Sequence, residues 1–200
     1  KVTEASLLAL SAPELQRLVS GCDAVISCLG HVLGFKGIFG APRDLVTCAV
    51  TRLCEAIEAQ RPRTPIKFIV MSSVSVHRSN GLDARRSAFE RAFLWVLCRL
   101  VPPARDNQRA AEFLLEQVGT RHPFVEWVVI RPDTLLEGDV TPYAVHAEIV
   151  DSLFSPGCTN MANVAHVMCE LVTNASLWSQ WKYQLPVVVN DQRSTPAIGP

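Results

Sequence analysis

The sequence predicts an α/β protein with a doubly wound, mostly parallel sheet covered by helices on both faces, three layers in all. Three observations carry this. Short β-branched apolar runs alternate with longer segments of helical periodicity. The runs at 66–71 and 126–130 are nearly continuous in apolarity, as strands buried on both faces are. The runs end in small or polar residues, at Cys28-Leu29-Gly30, Ser72-Ser73 and Pro132-Asp133-Thr134, and sheets of this kind bind ligands beyond the carboxyl ends of their strands.

The elements follow in order. Ser11-Ala12-Pro13-Glu14 is a capping box with proline in the first turn; Leu15, Leu18 and Val19 share one face, and Gly21 ends the helix. Ala24 to Cys28 is the first strand. After a loop dotted with Gly34, Gly37 and Gly40, a second helix starts at Pro42 and turns Val46, Ala49, Val50, Leu53 and Ile57 inward. The strand at 66–71 comes next. Asp83 is placed to cap a third helix, which Pro102-Pro103 stops, and Asp106 to cap a fourth. The third strand, 126–130, breaks at Arg131-Pro132. Asn160 caps a fifth helix, and 185–189 is a short last strand. Residues 1–190 read as one domain and 191–200, without periodicity, as a loose tail.

Composition excludes several classes. Lys+Arg and Asp+Glu balance at 19 each, so no basic excess points to nucleic acid. The seven cysteines form no C-x-x-C pair, which favours reduced thiols, a cytoplasmic location and no metal site. The longest apolar run, Ala92 to Cys98, is far too short to cross a bilayer, and no secretory signal is visible. The chain opens at Lys1 without Met, so the lack of a visible signal does not count against one upstream.

Four segments together resemble the atypical NAD(P)-binding branch of the short-chain dehydrogenase/reductase superfamily, in its order. D-A-V-I-S-C-L-G (23–30) is similar to the fourth strand, and F-I-V-M-S-S-V-S (68–75) to the fifth strand with its serine pair. The helix from Asp106 to Val118 followed by W-V-V-I-R-P (127–132) is similar to the sixth helix and strand. N-V-A-H-V-M-C-E-L-V (163–172) is similar to a helix near the family's C-terminus. The resemblance implies a Rossmann-like fold lacking its first strands. It therefore implies a domain that continues upstream, and an Ala24–Cys28 strand left open at the sheet edge or covered by another chain. It implies NAD(P)H as cofactor, NADP(H) in preference, along Cys28, Leu29, Gly30, Ser72, Pro132 and Thr134. Arg109 stands where atypical members often carry a lysine on the sixth helix, and is a further cofactor-binding candidate, for ribose or phosphate oxygens.

The family's reductase chemistry uses a serine, a tyrosine and a lysine. Ser73 matches the serine by its place at the strand end. Tyr-x-x-x-Lys does not occur; the two tyrosines, Tyr143 and Tyr183, lie past the expected place. His77, Tyr143 and His146 are candidate substrate contacts, and His31 is placed to line the same crevice. Cys28 reads as a small buried filler, and Trp178 and Trp181 as packing residues. The functional expectation is an oxidoreductase-like or epimerase-like protein acting on a small organic molecule. The alternative is a non-catalytic NAD(P)H-binding regulator or scaffold. Oligomeric state is left open.

Overall fold

The structure, a computed structural model, describes residues 2–31, 40–78, 83 and 86–191. Among the described residues its main sheet has five strands, in the order Ala24–Ser27 (β1), Ile66–Met71 (β2), Val125–Pro132 (β3), Val187–Asn190 (β7) and Tyr143–His146 (β5). The elements are α1 (Ala12–Val19), β1 (Ala24–Ser27), α2 (Leu45–Gln60), β2 (Ile66–Met71), α3 (Ala88–Leu100), α4 (Pro102–Glu112), β3 (Val125–Pro132), β4 (Thr134–Leu136), β5 (Tyr143–His146), β6 (Cys158–Asn160), α5 (Met161–Thr173), α6 (Ala175–Trp181) and β7 (Val187–Asn190). β1, β2, β3 and β7 are mutually parallel, as the strand–helix alternation requires, while β5 is antiparallel to β7. A separate two-stranded parallel sheet pairs β4 with β6.

Period-two alternation divides the core between the two faces of the sheet. Phe68, Val70, Trp127 and Val129 pack with α1, α2 and α4, whereas Ile69, Val128 and Ile130 pack with α5 and α6. Trp178 and Trp181 belong to this second cluster, as packing residues. At one outer edge of the sheet, β1 pairs only with β2 among the described residues, and Ile26 is 43% exposed there. No described residue before α1 forms a strand beside it.

Several local expectations are corrected. The third helix is not capped by Asp83: it begins at Ala88, and Ser87 caps it, its Oγ accepting from Glu90 N at 3.1 Å while Ser87 N donates to Glu90 Oε2 at 2.8 Å. The capping box S-A-F-E was present in the sequence and is the stronger signal, because two orphan donors are satisfied at once. Pro102-Pro103 both ends α3 and opens α4, a first-turn position that costs proline no hydrogen bond. Asp106 therefore lies inside α4 and caps a different helix: its carboxylate accepts from Val46 N at 2.7 Å and Thr47 N at 3.0 Å, at the start of α2. That start is Leu45, not Pro42. α4 continues as a wider π-helical stretch over Phe113–Val118 and closes with Gly119 N donating to Leu114 O at 2.9 Å.

The expected break at Arg131-Pro132 is also absent, since β3 runs through both. Arg131 is fully buried; its Nε donates to Leu185 O at 2.7 Å and its Nη1 to Val76 O at 3.0 Å, and the guanidinium pairs with Asp83. Asn160 stands at the start of α5, but its side chain donates to Asp139 O at 2.9 Å instead of capping the helix. Gly34 and Gly37, and the 192–200 part of the expected tail, lie outside the described residues.

Candidate functional site

Parallel register brings the three strand ends to one edge. Ser27 is level with Val70, and Met71 with Ile130. The ladder continues past β2, with Ser72 N donating to Ile130 O at 2.8 Å and Val74 N to Pro132 O at 3.3 Å. Cys28–Gly30, Ser72–Ser73 and Pro132–Thr134 therefore lie along one edge of the sheet. Cys28 is exposed there, which corrects its reading as a buried filler. A side chain at Gly30 would meet nothing within 4 Å among the described residues.

A cavity of about 320 Å³ opens at the ends of β2 and β3, within the size range of small-molecule sites. Ser73, Ser75, Pro132 and Thr134 form its floor, and Asp151, Ser152 and Leu153 form a wall. Ser73 Oγ lies 2.6 Å from Ser75 Oγ and accepts from Ser75 N at 3.3 Å, a local turn that fixes the hydroxyl at the cavity. Asp133 accepts from Thr134 N at 2.7 Å and Gly157 N at 3.2 Å. Burial pushes its carboxyl above the usual carboxylate range; those N–H groups oppose the shift and the nearby Asp151 charge adds to it.

The wall is held by a residue that sequence reasoning missed. Glu90, in the first turn of α3, accepts from Ser152 Oγ at 2.7 Å and Leu153 N at 3.0 Å besides Ser87 N. The Ser152 hydroxyl first, then the backbone N–H groups of Ser87 and Leu153, hold its pKa down to about 2. A depressed carboxyl contributes stability that is complete above its unfolded value, about 4.3, and lost as pH falls through the folded value. Glu90→Gln is thus expected to be less stable than wild type at neutral pH, with the gap closing as pH falls from about 4.3 towards 2. Denaturant titrations at stepped pH read this; a gap that stays constant across the window contradicts it.

Other sequence candidates are engaged elsewhere. Tyr143 lies on β5 outside the cavity, its Oη 2.8 Å from His166 Nδ1. Arg109 is exposed on α4 and does not line the cavity. His77 N donates to Gln108 Oε1 at 3.0 Å and His77 O accepts from Gln108 Nε2 at 3.0 Å; its Nδ1 is buried without a partner. His31 follows Gly30, but its Nε2 lies 2.8 Å from Asp106 Oδ2 and ties the loop after β1 to α4. His146 lies on β5 and pairs in register with Val187.

The chain matches the NAD(P)H-binding family over residues 1–175. It belongs to that family. Solved structures agree on the fold. The oxidoreductase ylbE of Lactococcus lactis is 18% identical with a TM-score of 0.62, over 96% of this chain and 72% of that one. A short-chain dehydrogenase/reductase of Veillonella parvula, solved with NADP, is 13% identical with a TM-score of 0.62, over 99% and 76%. A Rossmann-fold NAD(P)-binding family protein of Shigella flexneri is 15% identical with a TM-score of 0.59, over 100% and 74%. No match was found among the curated proteins.

The residues present fit one side of a bound NAD(P)H. Ser27 Oγ and Ser72 Oγ are buried at adjacent strand ends with no hydrogen-bond partner, and buried hydroxyls normally have one. The pyrophosphate side is different, because it calls for free backbone N–H groups at a helix N-terminus. The helix that follows β1 has two of these taken by the Asp106 carboxylate. Among the described residues no glycine-rich turn opens a helix at this edge. Nor do the described residues include a cluster suited to a metal ion, or a helix long and apolar enough to cross a membrane.

Proposed function

We propose that this chain is an NAD(P)H-dependent oxidoreductase of the atypical short-chain type, with residues 1–190 as its domain and a small organic substrate in the cavity beside Ser73. The supporting observation is the cavity itself, which adjoins the strand ends where the family carries its cofactor. The nucleotide lies along Cys28, Leu29 and Gly30, with Ser72, Pro132 and Thr134 at its reactive end, and NADP(H) is the preferred form. Bound NAD(P)H supplies a hydride. Ser73 Oγ, steadied by Ser75, donates a hydrogen bond to the substrate oxygen as negative charge develops there. Arg109, Tyr143 and His77 take no part in this reading, since none of them lines the cavity. A cytoplasmic location is consistent with it, given seven unpaired thiols.

Ser73→Ala tests it. The expected loss in kcat/KM is roughly ten- to a thousandfold with cofactor affinity little changed, since one donor aimed at developing charge is worth about that much. The measurement is NADPH and NADH oxidation against aldehydes, ketones and quinones, wild type and variant side by side. Equal turnover by both removes Ser73 from the reaction.

One observation favours a second reading, a non-catalytic NAD(P)H-binding regulator. No tyrosine lines the cavity: Tyr143 is held by His166, and Tyr183 packs edge-on to Trp127. Nucleotide binding without turnover of any substrate in the panel supports it.

A further inference from the structure

Arg86 is unusual among the buried residues. It is 4% exposed, yet among the described residues its Nε and Nη1 have no hydrogen-bond partner. Its Nη2 donates to Val74 O. A guanidinium stays charged when buried, so donors without acceptors are costly and call for an explanation. Arg86 lines the Ser73 cavity and also borders an adjoining cavity of about 300 Å³ on the other side of Asp151 and Ser152.

The acids nearby do not quench it. Asp83 is committed to Arg131, and Glu90 to Ser87, Ser152 and Leu153. Asp133 has its oxygens on the N–H groups of Thr134 and Gly157. Asp151 lines the same cavity and forms no hydrogen bond with Arg86 Nε or Nη1. The cavity thus holds one cation with free donors and two carboxylates. The unpartnered guanidinium donors call for an anionic acceptor, while Asp133 and Asp151 repel a dianion such as a phosphate monoester more strongly than a monoanion.

We infer that Arg86 anchors a carboxylate of the substrate, so that the molecule taken into the Ser73 cavity is a small monocarboxylate. This rests on the assignment of that cavity as the substrate site. The carboxylate oxygens accept from the free guanidinium donors, and the rest of the molecule extends along Val74 and Pro132 towards Ser73.

The test uses the whole protein and needs no turnover. 2-Oxobutanoate and its methyl ester are titrated into wild type, with and without NADP⁺, while backbone amide shifts of Ser73, Thr134 and Ser152 are followed. The ester has nearly the same shape and no charge. The expected result is carboxylate binding at these amides, with the ester about tenfold weaker or more, since hydrogen bonds to a charged group are the stronger kind. Arg86→Gln should remove the discrimination. Because that variant alters a buried site, the wild-type comparison of acid and ester decides by itself. Equal binding of both, tighter binding of the ester, or no binding of either at millimolar concentration overturns the inference. NADPH titrated into the same sample and followed at Cys28–Gly30 reports cofactor binding separately, so the two readings fail independently.

Discussion

Arg131→Met is expected to destabilise the protein by about 3–5 kcal/mol, the cost of removing one partner of a buried ion pair. Arg131 is fully buried in β3, and both carboxylate oxygens of Asp83 face its guanidinium, at 3.0 and 3.2 Å. Burial alone pushes the Asp83 carboxyl up, and the Arg131 hydrogen bonds and charge more than reverse this, so the net shift is downward. The wild-type contribution is therefore complete above the unfolded value, about 3.9, and lost as pH falls below it. In the variant the burial cost of Asp83 is offset only by the Arg78 N–H and the Arg78 charge, and two backbone carbonyls, Leu185 O and Val76 O, lose their donor. The double variant Asp83→Leu with Arg131→Met should recover a large share, because it removes the stranded charge. Urea titration of the three proteins reads this. A single variant within about 1 kcal/mol of wild type, the size of an ordinary surface change, contradicts it.

Asp106→Ala is the second large effect, expected at about 2–4 kcal/mol, since each buried donor left without an acceptor costs about 1–3 kcal/mol. The carboxylate serves Val46 N, Thr47 N and Thr47 Oγ1, the last at 2.6 Å, and also meets His31. Removing it frays the first turn of α2, whose N-cap residue, Asp44, makes no side-chain cap of its own. It also frees the loop after Gly30, at the crevice. Hydrogen exchange should show faster exchange at Val46 and Thr47 with β2 and β3 unchanged. Unaltered protection at those two amides contradicts the capping role.

The parallel strands were legible because period-two apolar runs and helical spacing are local signals. Ala24 to Cys28, 66–71 and 126–131 all appear within a residue or two. What the sequence concealed is non-local. Asp106 looks like a cap for its own helix, and only tertiary packing of α4 on α2 shows that it caps another. Arg131 looks like a strand breaker until Asp83 arrives from 48 residues away. β5 and the β4–β6 pair were missed because strands of three or four residues are too short to show periodicity. The site followed the same division. The strand ends were readable one by one, whereas Arg86 and Glu90 sit in the stretch read as the start of the third helix, where nothing local shows that Arg86 lines the cavity or that Glu90 reaches Ser152.

The central claim, that ligands bind at the carboxyl edge of the parallel sheet, is tested most directly by titrating NADPH to millimolar concentration and mapping backbone amide shifts, a method that also registers weak binding. The account predicts shifts at Cys28, Leu29, Gly30, Ser72, Ser73 and Thr134, with the opposite edge, at Asp23, Ile66 and Val125, unmoved. Shifts confined to that opposite edge, or none at either, would contradict it.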